Sequence, residues 1–262
     1  MALVCLMAGL SGCGHNKRSA RSPQTAPPIE TEQAEADTGE AGTARTSIPQ
    51  ARAPQTERIP VTPVPLGGIT EEDIRFVNSH PPILTEVGFA TWYSAPYKGR
   101  KAANGEVFND AALTAAHRTL PMGSLIVVTN LKTGQWSAMR ITDRGPFVDG
   151  RILDLTIASA KATGIYRAGL AQVRVDVYQT PKPIETGGRW CVQIGAFHDE
   201  ELALKLKAQL QVKYPEASVI EFPGTGSYWV RIRPQGDSRE LAETIASRLR
   251  PAEGEAFLTR LD

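Results

Sequence analysis

In the middle of this 262-residue chain, Glu106, His117, Asp143, Asp149 and Asp154 are the side chains whose types suit proton transfer. Asp143 stands in "ITDRGPF", where a strand-like run breaks into Asp-Arg-Gly-Pro, so its carboxyl emerges at a strand end, a usual place for reactive groups. A carboxyl that donates a proton near neutral pH needs a raised pKa, from burial or from a neighbouring anion such as Glu106. Plainer roles stay open at this point. Asp143 can accept backbone hydrogen bonds in a turn or pair with Arg144 or Arg151, His117 can be structural, and Glu106 can be a solvated turn residue. His15, His80, His117 and His198 are scattered, with none at ligand-pair spacing, so neither metal nor cofactor is expected. No Gly-x-Ser-x-Gly elbow occurs, and Cys191 in "WCVQIG" reads as a small buried hydrophobe.

The elements around these residues are short and extended. "VGFATWY", "SLIVVTN", "QWSAMRITD" and "AQVRVDVYQ" carry the β-branched and aromatic content of strands, separated by Gly-containing turns. "LTIASAKATG" is the one helical stretch among them, with Thr156 as cap and Gly164 as stop. Several strands and one short helix in under about a hundred residues predict a small closed barrel. Ahead of it, "TEEDIRFV" reads as a capped helical turn through Thr70 and Asp73, ended by "NSHPP".

After "TPKPIETGG" comes an internal repeat. "VQIGAFHDEELALKLKAQL" and "VRIRPQGDSRELAETIASRL" are each a strand, a polar turn and a helix. Leu202, Leu206 and Leu210 fall on one helical face, as do Leu241, Ile245 and Leu249. Both helices are expected on one face of an antiparallel sheet, leaving the other face open for a ligand.

The first residues, "MALVCLMAGLSGCG", form an apolar run closed by small residues before Cys13, similar to a bacterial lipoprotein signal. That similarity implies cleavage before Cys13, lipidation of Cys13, and attachment at the periplasmic face of the envelope, with Gly14 favouring the outer membrane. From Gly14 to about Leu66 there is no aromatic residue and much Pro, Thr, Ala, Gln and Glu, a composition expected of a disordered tether. Some fifty such residues span about 40 Å r.m.s. and about 170 Å when stretched. With 29 basic and 28 acidic side chains there is no field to gather a polyanion, and nucleic acid is not an expected partner.

Within 86–180, Trp92-Tyr93, Asn104-Gly105-Glu106, Leu113-Thr114-Ala115-Ala116-His117, Leu120-Pro121, Val128-Thr129-Asn130, Asp143-Arg144-Gly145-Pro146 and Asp154-Leu155 occur in order and spacing that resemble the rare lipoprotein A family of septal-ring lytic transglycosylases. Thr91 and Ser94 stand where that family has Ser and Gly, and Ala102 where it often has Thr. The resemblance implies a six-stranded double-psi β-barrel whose cleft is lined by Glu106, His117 and Asp143. The residue matching Asp143 is implied to be the acid/base that cuts the β-1,4 bond between N-acetylmuramic acid and N-acetylglucosamine. The muramic C6 hydroxyl attacks in place of water and leaves a 1,6-anhydro end. Glu106 and His117 are expected to tune and orient Asp143, and Trp92, Tyr93, Asn104, Arg144 and Asp154 to contact sugar, though Trp92 and Tyr93 equally suit the barrel core.

Residues 187–262 resemble a sporulation-related repeat (SPOR) domain, carried by "VQIGAF" and the paired strand-helix units. This implies a small ferredoxin- or RNP-like α+β fold that binds glycan strands stripped of stem peptides at division septa, in company with division-site proteins. Gln193, Ile194, Phe197, Trp229 and Arg231 are the expected sheet-face contacts, while "VRIRPQGD" departs from the family at Arg233 and Gln235. The expected organisation is a signal peptide over 1–12, a linker over 13–69, a helical lead-in over 70–85, the barrel over 86–180, a linker over 181–188 and the SPOR domain over 189–262. The competing reading is an expansin-like protein that binds and loosens wall without cutting it; a weaker one is a tether that uses both domains only for attachment.

Overall fold

The computed structural model describes residues 68–262 apart from 95, 96, 98 and 223–225. The signal segment, Cys13 and all but the last two residues of the expected 13–69 linker lie outside the described residues. Helix α1 (Glu71–Ser79) begins with a reciprocal cap. Thr70 Oγ1 accepts from the Asp73 amide at 3.2 Å, and Asp73 Oδ2 accepts from the Thr70 amide at 3.0 Å. Asp73 Oδ1 also accepts from Arg140 Nη2 at 2.6 Å, while Val77 packs on Leu125, Val127 and Tyr178. One carboxylate thus starts the helix and fastens it to the barrel.

The barrel has strands β1 (Leu84–Trp92), β2 (Thr114–Ala116), β3 (Leu125–Asn130), β4 (Trp136–Asp143), β5 (Arg151–Leu155) and β6 (Ala171–Gln179). They close in the order β1-β5-β2-β4-β3-β6, with β1–β5 and β2–β4 parallel and the other pairs antiparallel. Closure leaves no open edge. Ile126, Val128, Met139, Ile141, Leu153, Leu155, Val173, Val175 and Val177 fill the interior at alternate positions of their strands. Strands β2 and β5 are additions to the sequence reading. Thr-Ala-Ala is too short and too weak in strand propensity to be seen alone, and both become strands because partners on each side supply the ladder. Helix α2 (Ile157–Ala162) starts where expected, with Thr156 Oγ1 accepting from Ser159 N.

The second domain contains β7 (Trp190–Phe197), α3 (Glu200–Gln211), β8 (Ser218–Phe222), β9 (Ser227–Ile232), α4 (Arg239–Arg248) and β10 (Glu255–Arg260), with sheet order β10-β7-β9-β8. Every pairing is antiparallel. This is the expected α+β fold, with helices capped by Asp199 and Ser238. The helical faces are rotated from the expected ones. Ala203 and Ala242 make the close approach to the sheet, together with Leu206, Leu210, Ile245 and Leu249, while Leu202 and Leu241 stay exposed at the rim.

Alternation along β7 sends Trp190, Val192 and Ile194 toward the helices. A register slip between Ile194 and Phe197 then brings Phe197 to the same side. Ile194 and Phe197 are therefore core residues, not members of the ligand-facing surface expected from sequence. Gly195, at φ +151°, permits the close crossing of Trp229, because a Cβ there would lie 2.8 Å from the Trp229 ring.

Along β9 and β10 the opposite sheet face is turned toward the barrel, while its β8 side, at Ser218, stays exposed. Phe147, in the loop after β4, has its ring 5.0 Å from that of Trp229 and 5.9 Å from that of Phe257. The Arg118 guanidinium lies 5.2 Å over the Phe257 ring. Arg144 donates through Nε to the Arg260 carbonyl and through Nη2 to the Asp262 carbonyl at 2.7 Å. Barrel and sheet belong to one compact unit.

Candidate functional site

Between the barrel mouth and the sheet lies a cleft of about 540 Å³, a size suited to small ligands or to part of a longer one. Tyr93, Asp143 and Asp154 line it from the barrel, and Gln193, Trp229 and Arg231 from the sheet. All six were among the expected site residues.

Asp143 ends β4 beside a register slip in the β2–β4 pairing, so the chain turns outward just as its side chain enters the cleft. Gly145, at φ +140°, is a backbone state glycine accepts readily, and it lets the loop turn again at once. Asp143 Oδ1 accepts from the Arg144 amide at 2.8 Å and from the Ala103 amide at 3.0 Å, and Oδ2 accepts from the Tyr93 hydroxyl at 3.3 Å. Burial raises its pKa; those three hydrogen bonds and the charge of Arg144 oppose the rise without cancelling it. Burial, rather than an anion at Glu106, is the source of the proton affinity. Tyr93 is half-buried, and desolvation together with the nearby Asp143 charge pushes its phenol well above the usual range, so it remains a donor.

Arg144 lines the cleft too, but its guanidinium grips backbone. Besides the two carbonyls of the second domain, Nη1 donates to the His117 carbonyl at 3.1 Å. Burial lowers its pKa to about 10, which leaves it charged at neutral pH. Asp154 accepts from Thr91 Oγ1 at 2.6 Å and from the Arg151 guanidinium. Arg151 therefore pairs with Asp154, leaving Asp143 without a side-chain ion pair among the described residues.

Glu106 and His117 meet other partners. Glu106 is exposed and accepts from Asn104 Nδ2 at 2.9 Å, while its amide donates to Asn104 Oδ1 at 3.0 Å. This closes the turn that presents the Ala103 amide to Asp143. His117 is buried, with Nδ1 accepting from the Thr119 and Leu120 amides at 3.2 and 3.0 Å. The ring proton must then sit on Nε2, which lies 3.1 Å from Glu86 Oε2. That hydrogen bond is the largest cause holding the Glu86 carboxyl below its usual range. The backbone of His117 nevertheless touches the acid's strand, its amide donating to the Asp143 carbonyl at 3.1 Å.

Trp92 lies against the barrel core, its Nε1 donating to the Tyr166 carbonyl at 3.2 Å, and neither it nor Asn104 is on the cleft wall. Tyr97 and Phe147 line the cleft without having been singled out from sequence. Nothing in "APYKGR" or "GPFVDG" distinguishes those rings from ordinary loop aromatics. Among the described residues, no group of three His, Cys, Asp or Glu side chains is placed to hold a metal ion.

Comparison with known proteins gives two family matches. Residues 85–175 match the lytic transglycolase barrel family, and residues 186–260 match the SPOR domain. A Synechocystis protein named probable endolytic peptidoglycan transglycosylase RlpA is 52% identical over 92 residues, covering 35% of this chain and 29% of that protein. The Vibrio cholerae endolytic peptidoglycan transglycosylase RlpA is 40% identical over 125 residues, covering 46% and 48% respectively. The Campylobacter jejuni protein of the same name is 34% identical over 160 residues, covering 52% and 58%. The matched stretches thus span between 29% and 58% of these relatives' lengths.

Proposed function

We propose, from the premise that the chain belongs to the RlpA-like family in which a double-psi barrel is joined to a SPOR domain, that it is an endolytic peptidoglycan transglycosylase with Asp143 as its acid/base. The observation that carries this reading is a half-buried carboxyl of raised proton affinity on the wall of a cleft. Asp143 gives its proton to the glycosidic oxygen as the bond from muramic C1 to that oxygen breaks and positive charge builds on the ring. The muramic C6 hydroxyl oxygen then bonds to C1, and its proton passes to the Asp143 carboxylate. The acid is restored, the products carry a 1,6-anhydro end, and no water is consumed.

Tyr93 acts on the carboxyl directly through its hydrogen bond. Glu106 and His117 are positioning residues in this mechanism. Glu106 holds the turn that aims the Ala103 amide, and His117 holds the strand through its backbone while its ring is fixed by Glu86. The second domain directs the enzyme to peptide-free glycan at the septum, a reading supported by the SPOR match. Anchoring through Cys13 is supported by the small-residue motif before that cysteine, and placement at the periplasmic face of the outer membrane by Gly14 after it.

The test is digestion of purified wall glycan, with and without stem peptides, followed by mass spectrometry of the released fragments. Fragments ending in 1,6-anhydro-muramic acid, more abundant from peptide-free strands, are expected. Reducing ends would mean hydrolysis, and glycan bound at unchanged length would mean the expansin-like alternative.

A further inference from the structure

We infer that the sheet of the second domain is the opposite wall of the catalytic cleft, so that Gln193 and Arg231 bind a carboxylate on the same stretch of sugar strand that Asp143 cuts. The inference rests on the enzymatic reading above for the identity of the strand, and on geometry for the rest. Residues of both domains line one continuous cleft. The loop that carries the acid is seated on β10 through the guanidinium of Arg144 and pressed on the sheet through Phe147. Moving the sheet would therefore disturb the acid's own support.

The sheet wall has donors to spare. Arg231 Nη2 donates to Gln193 Oε1 at 3.0 Å, which uses the only acceptor of the pair. Gln193 Nε2 and Arg231 Nε are buried and have no partner among the described residues, and Gln193 is fully buried. A buried donor lacking an acceptor is unfavourable and rare in folded proteins, so a site that keeps two on a cleft wall is complete only when a ligand brings oxygen acceptors. An amide and a guanidinium side by side suit a carboxylate best. A peptide-free glycan supplies one on each muramic lactyl group, whereas a peptide-bearing strand has converted that group to an amide.

Hydrogen exchange on the full chain carrying Asp143→Asn, titrated with peptide-free glycan oligomers, tests this without turnover. Segments 143–148 and 227–232 should gain protection together, with one midpoint. Arg231→Ala should raise both midpoints about tenfold and Arg231→Lys less, while oligomers of N-acetylglucosamine alone, which lack the carboxylate, should bind weakly and be indifferent to Arg231. Protection of 227–232 alone, two separate midpoints, or equal binding of the uncharged oligomers would overturn the inference. Loss of protection at 143–148 would overturn it differently, by making the sheet a cover that glycan displaces. In the cleaving protein Arg231→Ala should raise KM about tenfold with kcat little changed. Absence of product from the unsubstituted chain would defeat the enzymatic reading, while the exchange result would still decide whether the cleft is shared.

Discussion

Asp143 on one side of the cleft and the Gln193–Arg231 pair on the other are satisfied in opposite ways. On the barrel wall, both oxygens of Asp143 already have donors, from two amides and a phenol, and burial still holds the carboxyl toward its protonated form. On the sheet wall, donors outnumber acceptors, and Gln193 and Arg231 retain buried N–H groups with none. Asp143 is completed by the chain itself and stores a proton; Gln193 and Arg231 are completed only from outside. On the proposed function, the contrast matches bond-breaking in the first domain and recognition in the second, within one space.

The largest expected effect tests that division directly. Asp143→Asn should lower release of anhydro-ended fragments by about 10²- to 10⁴-fold, the usual worth of a placed general acid. Binding to sacculi, followed by co-sedimentation, should persist, since the amide still accepts from the Ala103 and Arg144 amides. Parallel loss of binding and cleavage would break the comparison, because recognition would then depend on the barrel wall. A second substitution, Asp73→Ala, acts away from both walls. It removes the reciprocal half of the capping box and leaves Arg140 without its carboxylate, at a cost of about 2–3 kcal/mol in denaturant unfolding. Fragment chemistry should not change, and a change in product type would mean that the lead-in helix shapes the cleft.

Much of this was legible in the residues. The cap at Thr70, the helix start at Thr156, four barrel strands and the paired strand-helix units follow from local rules of capping, alternation and periodicity. What was not legible depends on partners distant in sequence. Thr114–Ala116 becomes a strand only between β4 and β5, and Phe197 turns into the core only because the register slips beside Gly195. The approach of seven expected site residues to one cleft fits the motif spacing, yet spacing does not reveal that Glu106 would face Asn104, or that the His117 ring would face Glu86. Side-chain direction in a turn is set by hydrogen bonds that a sequence does not display. Nor does any residue pattern disclose that Trp229 and Phe257 on the sheet face meet Phe147 of the barrel.

Stability should carry the signature of the stored proton. Because the folded state raises the Asp143 pKa above its unfolded value of about 3.9, the native state binds the proton more tightly, and stability falls as pH rises through that window. Asp143→Asn, which cannot ionise, should raise the melting temperature at neutral pH, and the gain should disappear below about pH 3.9, where both states of the parent protein hold the proton. A gain of equal size at acid pH would mean that burial of charge is not its cause.

The smallest expected effect is the most specific. Tyr93→Phe removes the donor that favours ionised Asp143, so the carboxyl should hold its proton to still higher pH, and the alkaline limb of the kcat profile should move upward. The bond is long, and its loss should lower the acid plateau only about two- to tenfold. A limb that stays in place would mean the Tyr93 hydroxyl does not reach the reacting carboxyl once sugar is bound. A limb that moves downward would mean that burial of Asp143 depends on the hydroxyl, so that its removal lets water reach the acid, and Asp143 would then be no more self-sufficient than Gln193 and Arg231 opposite.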